Sequence, residues 1–247
     1  MSADESFENV PVLVSGGAGG IGSATAQWFL ERGARVAVID LPGDNLDKAA
    51  ATLGVVGNAV DLTDEASVRR AVADVVKSIG PIGVLVNAAG VVGHGGIDQI
   101  SVTEWRQVLD INLTGSFILA QVVIPYMRTR GKGKIVFLSS VTARTGGSEM
   151  SGPAYAASKA GIDSLTRYLA NLLAPSIQVN AVAPGPVRTG MLDELDADGI
   201  AALAMKIPAG RTSSPLEIAG TIGFLCSVTA DYITGVSLDQ NGGQWMG

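Results

Sequence analysis

Cysteine and histidine are nearly missing: the 247 residues hold one of each, Cys226 and His94. A lone cysteine cannot close a disulfide within the chain, which points to a reducing compartment. One thiol and one imidazole also fall short of the donors a zinc site needs, so no metal is expected. Charged residues make up only 16%, too few for a chain kept unfolded by its own charge. The charge present is acid-biased, 17 Lys and Arg against 23 Asp and Glu, for a net of −6. That sign argues against a broad nucleic-acid surface. No uninterrupted apolar run reaches the roughly 20 residues of a membrane span, and Met1–Glu5 is acidic and polar, unlike a targeting leader. The expectation is a cytoplasmic protein with no membrane partner and a loose tail over residues 1–9.

What is abundant is apolar residues, at 47%, and glycine, 32 of them without a period. Short β-branched runs at Val10–Val14, Arg35–Ile39, Val55–Val60, Val84–Ala88, Lys134–Ser139 and Gln178–Ala183 are nearly all apolar, as strands buried on both faces are. Between them Gly20–Arg32, Asp44–Leu53, Glu65–Ile79, Val102–Arg130 and Ala154–Leu173 carry helical patterns. Ser101-x-x-Glu104 and Ser214-Pro215-x-Glu217 read as capping boxes. Strand–helix alternation without a composition break predicts an α/β fold: one domain over residues 10–247, a doubly wound, Rossmann-like parallel sheet with helices on both faces. Pro184–Ser213 lacks strand pattern and suits a mobile loop over a site, with short helices around Met191–Leu195 and Ile200–Met205.

Ser15-Gly-Gly-Ala-Gly-Gly-Ile-Gly22 closes the first strand and opens the first helix. Glycines there let backbone N–H groups approach a pyrophosphate, whose charge the helix N-terminus favours. Two overlapping spacings are available, Gly16/Gly20/Gly22 and Gly17/Gly19/Gly22. Asp40 ends the second strand, where a carboxylate accepts hydrogen bonds from adenosine ribose hydroxyls and repels a 2′-phosphate. Leu41 follows it, and the glycine loop holds no basic residue. Together these favour NAD(H) over NADP(H).

Tyr155-Ala-Ala-Ser-Lys159 sets a phenol and an ammonium one turn apart on one helix face. A nearby cation lowers a phenol's pKa toward the range of a useful acid–base group. Ser139-Ser140 closes a strand, so a hydroxyl faces the ligand edge of the sheet. Asn112 puts an amide mid-helix, where it is unfavourable unless it has a polar task. With Asp61-Leu62, Asn87–Gly90, Asn180, Pro184-Gly185 and Asp239-x-x-Gly-Gly, these motifs closely resemble the short-chain dehydrogenase/reductase family from about Val10 to Gly243.

The resemblance implies roles. Tyr155 exchanges the proton with the substrate oxygen, Ser140 hydrogen-bonds that oxygen, Lys159 holds the nicotinamide ribose and depresses the tyrosine pKa, and Asn112 supports a water relay to Lys159. Gly16, Gly20, Ile21, Gly22 and Asp40 bind the cofactor, Asp61 and Leu62 meet the adenine, and Asn87, Ala88 and Gly90 line its path. Pro184, Gly185, Val187 and Thr189 complete the nicotinamide end beside Tyr155 and Lys159. A homotetramer packed through Val102–Arg130 and Ala154–Leu173 is also implied. Departures are Ser15 for the usual Thr, Ala88 for a second Asn, and extra residues near Glu149–Pro153 that reshape the pocket. The expected substrate is a neutral, largely apolar ketone or secondary alcohol, with Met191, Leu192, Leu195, Leu203, Met205, Val92, Val141 and Ala143 as candidate lining. The alternatives are a 3-oxoacyl-thioester reductase, whose acidic carrier docks on Arg128, Arg130, Lys132 and Lys134, and a catalytically silent NAD-binding regulator.

Overall fold

The computed structural model describes residues 6–93, 95–148, 150–192 and 195–247. The chain alternates β1 (Pro11–Ser15), α1 (Gly20–Leu30), β2 (Arg35–Asp40), α2 (Asp44–Leu53), β3 (Val56–Ala59), α3 (Glu65–Ile79) and β4 (Val84–Asn87). It continues through α4 (Val102–Leu109), a π turn (Asp110–Thr114), α5 (Gly115–Arg130), β5 (Gly133–Leu138), α6 (Thr142–Thr145) and α7 (Gly152–Leu173). Then come β6 (Ile177–Pro184), a 3-10 turn (Gly190–Leu192), α8 (Ala197–Met205), α9 (Pro215–Cys226) and β7 (Ser237–Gln240). All seven strands are parallel, in the order β3-β2-β1-β4-β5-β6-β7.

Alternate residues of each strand feed opposite faces. Leu13, Leu85, Ile135 and Val179 pack with α3, α5 and α7, whereas Val12, Val84, Val136 and Val182 pack with α1 and α9. The doubly wound sheet is therefore as expected. Burial on both faces explains why its central strands read as solid apolar runs.

Several details differ from expectation. The tail is not loose up to residue 9: Phe7 is buried edge-on against Trp28 and Phe29, at 5.7 and 4.8 Å between ring centroids. Its N–H donates to the Arg32 carbonyl at 2.9 Å. Residues 1–5 lie outside the described residues. The helix expected over Val102–Arg130 is one continuous run, but its middle widens into a π turn, where the Gly115 N–H donates five residues back to Asp110. By length and composition this run could cross a membrane; half of its most apolar window is buried in the protein instead. The expected box at Ser101 is half made, its side chain accepting from the Glu104 N–H, while that at Ser214 and Glu217 is reciprocal.

Helices α1 and α9 pack directly against each other. Gly223 presents only hydrogen to the six-membered ring of Trp28, and a Cβ there would overlap the ring. Gly223→Ala is therefore expected to lower stability by about 1–3 kcal/mol through overpacking. Scanning calorimetry should show a melting temperature lower by roughly 3–10 °C; an unchanged melting temperature would contradict this packing.

Candidate active site

The sheet order reverses at β1, whose neighbours are β2 and β4, so the turns leaving β1 and β4 diverge and leave a crevice at their C-terminal ends. Two cavities meet there. One, of about 1240 Å³, runs along Gly16, Gly20, Asp40, Asp61, Gly90 and Ile111. The other, of about 330 Å³, lies beyond it against Ser140, Tyr155, Lys159, Pro184 and Val187. Ile21, Ala88, Gly90 and Thr189 line both.

The glycine loop fits a dinucleotide phosphate. Gly16 turns the chain with φ +67°, a left-handed value, and a Cβ on it would stand 2.6 Å from the Ala89 nitrogen. A Cβ on Gly22 would overlap the Gly16 carbonyl. The N-cap, Gly19, has no side chain to satisfy the first-turn N–H groups of α1, which are left for a ligand. Of the two glycine spacings, Gly16/Gly20/Gly22 lines the cavity, while Gly17 faces Val38 in the packing beneath. Asp40 stands at the mouth and accepts the Ala18 N–H at 2.9 Å and the Leu41 N–H at 2.8 Å. Asp61 accepts from the Thr63 N–H and hydroxyl, which hold its carboxyl below the usual carboxylate range. Leu62 lies beside it on the wall.

At the inner end, Lys159 is buried and its Nζ donates to the Leu138 carbonyl at 2.7 Å. It sits 5.4 Å from the centroid of the Tyr155 ring. The Asn112 amide brackets the turn after β4, accepting from the Val91 N–H at 2.8 Å and donating to the Val91 carbonyl at 2.9 Å. It also donates to Ser158 Oγ at 3.0 Å, tying the π turn to α7. A Cβ on Gly90 would stand 3.2 Å from Asn112 Oδ1 and 3.5 Å from Lys159 Nζ, so glycine keeps that gap open.

The comparisons with known proteins agree with this geometry. Residues 16–244 match the family described as enoyl-(acyl carrier protein) reductase. An uncharacterized short-chain type dehydrogenase/reductase of Sinorhizobium fredii is 38% identical, over 94% of this chain and 95% of that one. The chain belongs to the short-chain dehydrogenase/reductase family. A 3-oxoacyl-[acyl-carrier-protein] reductase of Thermotoga maritima is 37% identical, over 96% of this chain and 98% of that one. A solved short-chain dehydrogenase/reductase of Brucella melitensis, titled glucose/ribitol dehydrogenase, superposes with a TM-score of 0.91 at 34% identity, covering 98% of each chain. Membership makes the chain an oxidoreductase of the nicotinamide-using kind.

Ser140, Tyr155, Lys159, Pro184, Gly185, Val187 and Thr189 all line the inner cavity. Asn87 does not line either cavity: its side chain is buried, accepting from Ser15 Oγ and donating to Ser116 Oγ at 2.8 Å, so it braces the strand ends. Ser116 and Ser158 carry no sequence signal, because isolated serines have no spacing to read; Ser15 is legible as the start of the glycine motif, but its bond to Asn87 is not. Of the expected pocket lining, Leu192, Leu203, Val92 and Val141 are in place, and Met205 is exposed instead. His94, Glu149 and the Met191 side chain lie outside the described residues. Arg144 turns from the cavity to pair with Asp163 and, at 3.3 Å, with Asp239.

The electrostatics correct one expectation. Burial pushes the Tyr155 phenol above its ordinary value, with a hydrogen bond to Ser140 opposing, so without cofactor the phenol holds its proton. Lys159 falls from 10.5 to about 8, because burial disfavours its charge more than the nearby Asp163 supports it. Between pH 8 and 10.5 the unfolded chain keeps a proton that folded Lys159 has released. This group's contribution to stability therefore grows as pH rises through that window, by on the order of 3 kcal/mol, and the penalty is in full force below it. Denaturant titrations across that range should show Lys159→Met with a correspondingly flatter pH dependence than wild type; parallel curves would refute the shift.

Proposed function

We propose that the chain is an NAD(H)-dependent oxidoreductase interconverting a secondary alcohol and a ketone, on a neutral and mainly apolar substrate. The observation that carries this reading is the convergence of Ser140, Tyr155 and Lys159 on one 330 Å³ cavity that opens into a dinucleotide-shaped crevice. The nicotinamide, when bound, gives or takes the hydride. Tyr155 gives the proton to the ketone oxygen, or takes it from the alcohol. Its raised pKa suits the first direction, since the acid is loaded at neutral pH. Ser140 orients the oxygen, and the Lys159 ammonium stabilises the phenolate left after proton transfer. Asn112 holds the turn that brings Gly90 between the cavities.

Asp40 supports NAD(H). It lines the larger cavity at the end of β2, and no Lys or Arg stands among the cavity residues from Ile39 to Asn45, the cavity's Arg106 lying on α4. Val92, Leu138, Val141, Met150, Pro186 and Leu192 support an apolar substrate. A reducing, cytoplasmic setting suits Cys226, whose thiol burial pushes up to about 12.

The second reading is a 3-oxoacyl-thioester reductase, favoured by the similarity to the Thermotoga maritima enzyme. Its expected carrier-docking cluster is partly committed elsewhere: Lys134 pairs with Asp231 at 2.6 Å, and Arg130 donates to the Pro81 carbonyl at 3.2 Å. A silent NAD-binding regulator is the third, and retention of both Tyr155 and Lys159 argues against it.

Exposed apolar side chains support assembly as a homotetramer. Phe117 on α5 and Tyr168 and Leu172 on α7 face outward, while Val122, Val123 and Leu169 of the same helices belong to the core. A second apolar face, Leu216 and Phe224 on α9 with Val228 and Tyr232 after it, gives the two surfaces that closed two-fold symmetry needs. Light scattering at micromolar concentration should give four chain masses; a monomer mass would refute this.

The catalytic test is a panel of apolar ketones, sugars, keto acids and 3-oxoacyl thioesters, followed by cofactor absorbance. Wild type should use NADH at least ~10-fold more efficiently than NADPH, and Asp40→Ala should narrow that ratio. Tyr155→Phe should lower turnover by ~10²-fold or more while NADH still binds. Equal use of both cofactors would overturn the cofactor assignment. Near-normal turnover by Tyr155→Phe would overturn the mechanism, and preference for thioesters would favour the second reading.

A further inference from the structure

Among the described residues Lys159 carries the one full charge on the wall of the inner cavity, and no carboxylate stands on that wall beside it. Its ammonium is buried, and Nζ donates to the Leu138 carbonyl at 2.7 Å. A neutral carbonyl does not balance a cation removed from water, so the counter-charge has to come from behind the wall.

Helix α7 supplies it. Tyr155, Lys159 and Asp163 follow at spacings of four, which sets them on one face in successive turns. Asp163 is itself buried, 3% exposed, and its Oδ2 is held by Arg144 of α6. Its Oδ1 is shut away from solvent and bonded to no other group among the described residues. Arg144 also lies 3.3 Å from Asp239 through Nε and donates to the Ser237 carbonyl of β7 at 3.3 Å through Nη2. Four charges therefore alternate in sign from the cavity to the sheet edge: Lys159, Asp163, Arg144, Asp239. The other elements packed against α7 offer no rival. On β5, Lys134 is engaged by Asp231; β6 has no charged residue; and the exposed Arg106 of α4 and Asp110 of the π turn line the larger cavity instead.

We propose that Asp163, held by Arg144, is a positioning residue whose carboxylate is the counter-charge of Lys159, a role that rests on the oxidoreductase reading of the crevice. Burial brings Lys159 down to about 8, and the field of Asp163 opposes that fall. Above that pH the phenolate left on Tyr155 loses its ammonium, so carbonyl reduction falls on the alkaline side. Removal of the Asp163 charge moves this limit to lower pH. Removal of the Arg144 charge leaves the field of Asp163 unopposed and moves the limit to higher pH.

Lysine isotopically labelled at Cε, followed by NMR in the full chain, reads the Lys159 titration without any substrate, and Lys159→Met assigns its signal. The wild-type midpoint should lie near pH 8. Asp163→Asn should lower it by about one pH unit or more, Asp163→Glu should return it toward wild type, and Arg144→Met should raise it. An unchanged midpoint in Asp163→Asn overturns the proposal. So does a shift of the same sign in Asp163→Asn and Arg144→Met, which is what loosened packing between α6 and α7 would give. The second measurement is the pH profile of kcat with NADH, on whichever carbonyl of the panel above is reduced fastest. Its alkaline limb should move between variants in the same order as the NMR midpoints, with KM for the carbonyl little changed. A limb that stays in place while the midpoints move overturns the role in the reaction. Midpoints that move as expected in a chain that reduces no carbonyl give a different result: the counter-charge stands, and the oxidoreductase reading itself is overturned.

Discussion

Strand β1 pairs with β2 on one flank and β4 on the other, so the sheet grows outward from it in both directions. Parallel pairing forces every connection to cross a face, and this sends α1 and α2 to one side and α3 and α5 to the other. The turns that leave β1 and β4 must then separate, and no side chain is needed to open the crevice between them. The register Ser15 to Asn87 brings their ends level, and the buried bond between those two side chains holds them so. Gly16, Ala88, Gly90 and Ser140 follow strand ends, and Asp40 closes one, all on that one edge. Their meeting is a property of strand direction before it is a property of chemistry.

Burial of the Lys159 ammonium is the second constraint. A cation this enclosed stays in place through the Leu138 carbonyl and the field of Asp163, one turn further along α7. Asp163 is in turn held by Arg144, which also reaches Asp239 and the Ser237 carbonyl on β7. Charge compensation therefore extends from the cavity to the sheet edge. The same chain of contacts fixes α6, the turn that follows Ser140, so the electrostatics of the lysine and the shape of the cavity wall are mechanically joined.

Much of this was legible in the residue order because central parallel strands are solvated on neither face. Val12, Leu85, Ile135 and Val179 left continuous apolar runs, and the glycine loop and Tyr155/Lys159 carry their chemistry in short spacings. What was missed lies where those signals fail. Strand β7, Ser237–Gln240, sits at the sheet edge, half exposed and with one apolar residue, so no run marks it. Phe7 looked like tail because its partners, Trp28 and Phe29, are distant in sequence. The π turn is invisible to periodicity: one extra residue per turn shifts Asn112 without interrupting the apolar pattern around it. Asn87 carried a motif, but its side chain was claimed by Ser15 and Ser116, contacts made only once β1, β4 and α5 come together. Gln244 follows two glycines, with nothing local to say that it reaches a cavity.

The segment beyond β7 has a place in how such a protein can diversify. The sheet is complete at Gln240, and none of the dinucleotide crevice is built from later residues. Gln244 nonetheless forms part of the smaller cavity. A stretch that carries neither the architecture nor the cofactor thus shapes what enters beside them. Exchange of Gln244 alters one wall of the smaller chamber without touching the sheet or the crevice, so preference can change at a position apart from both.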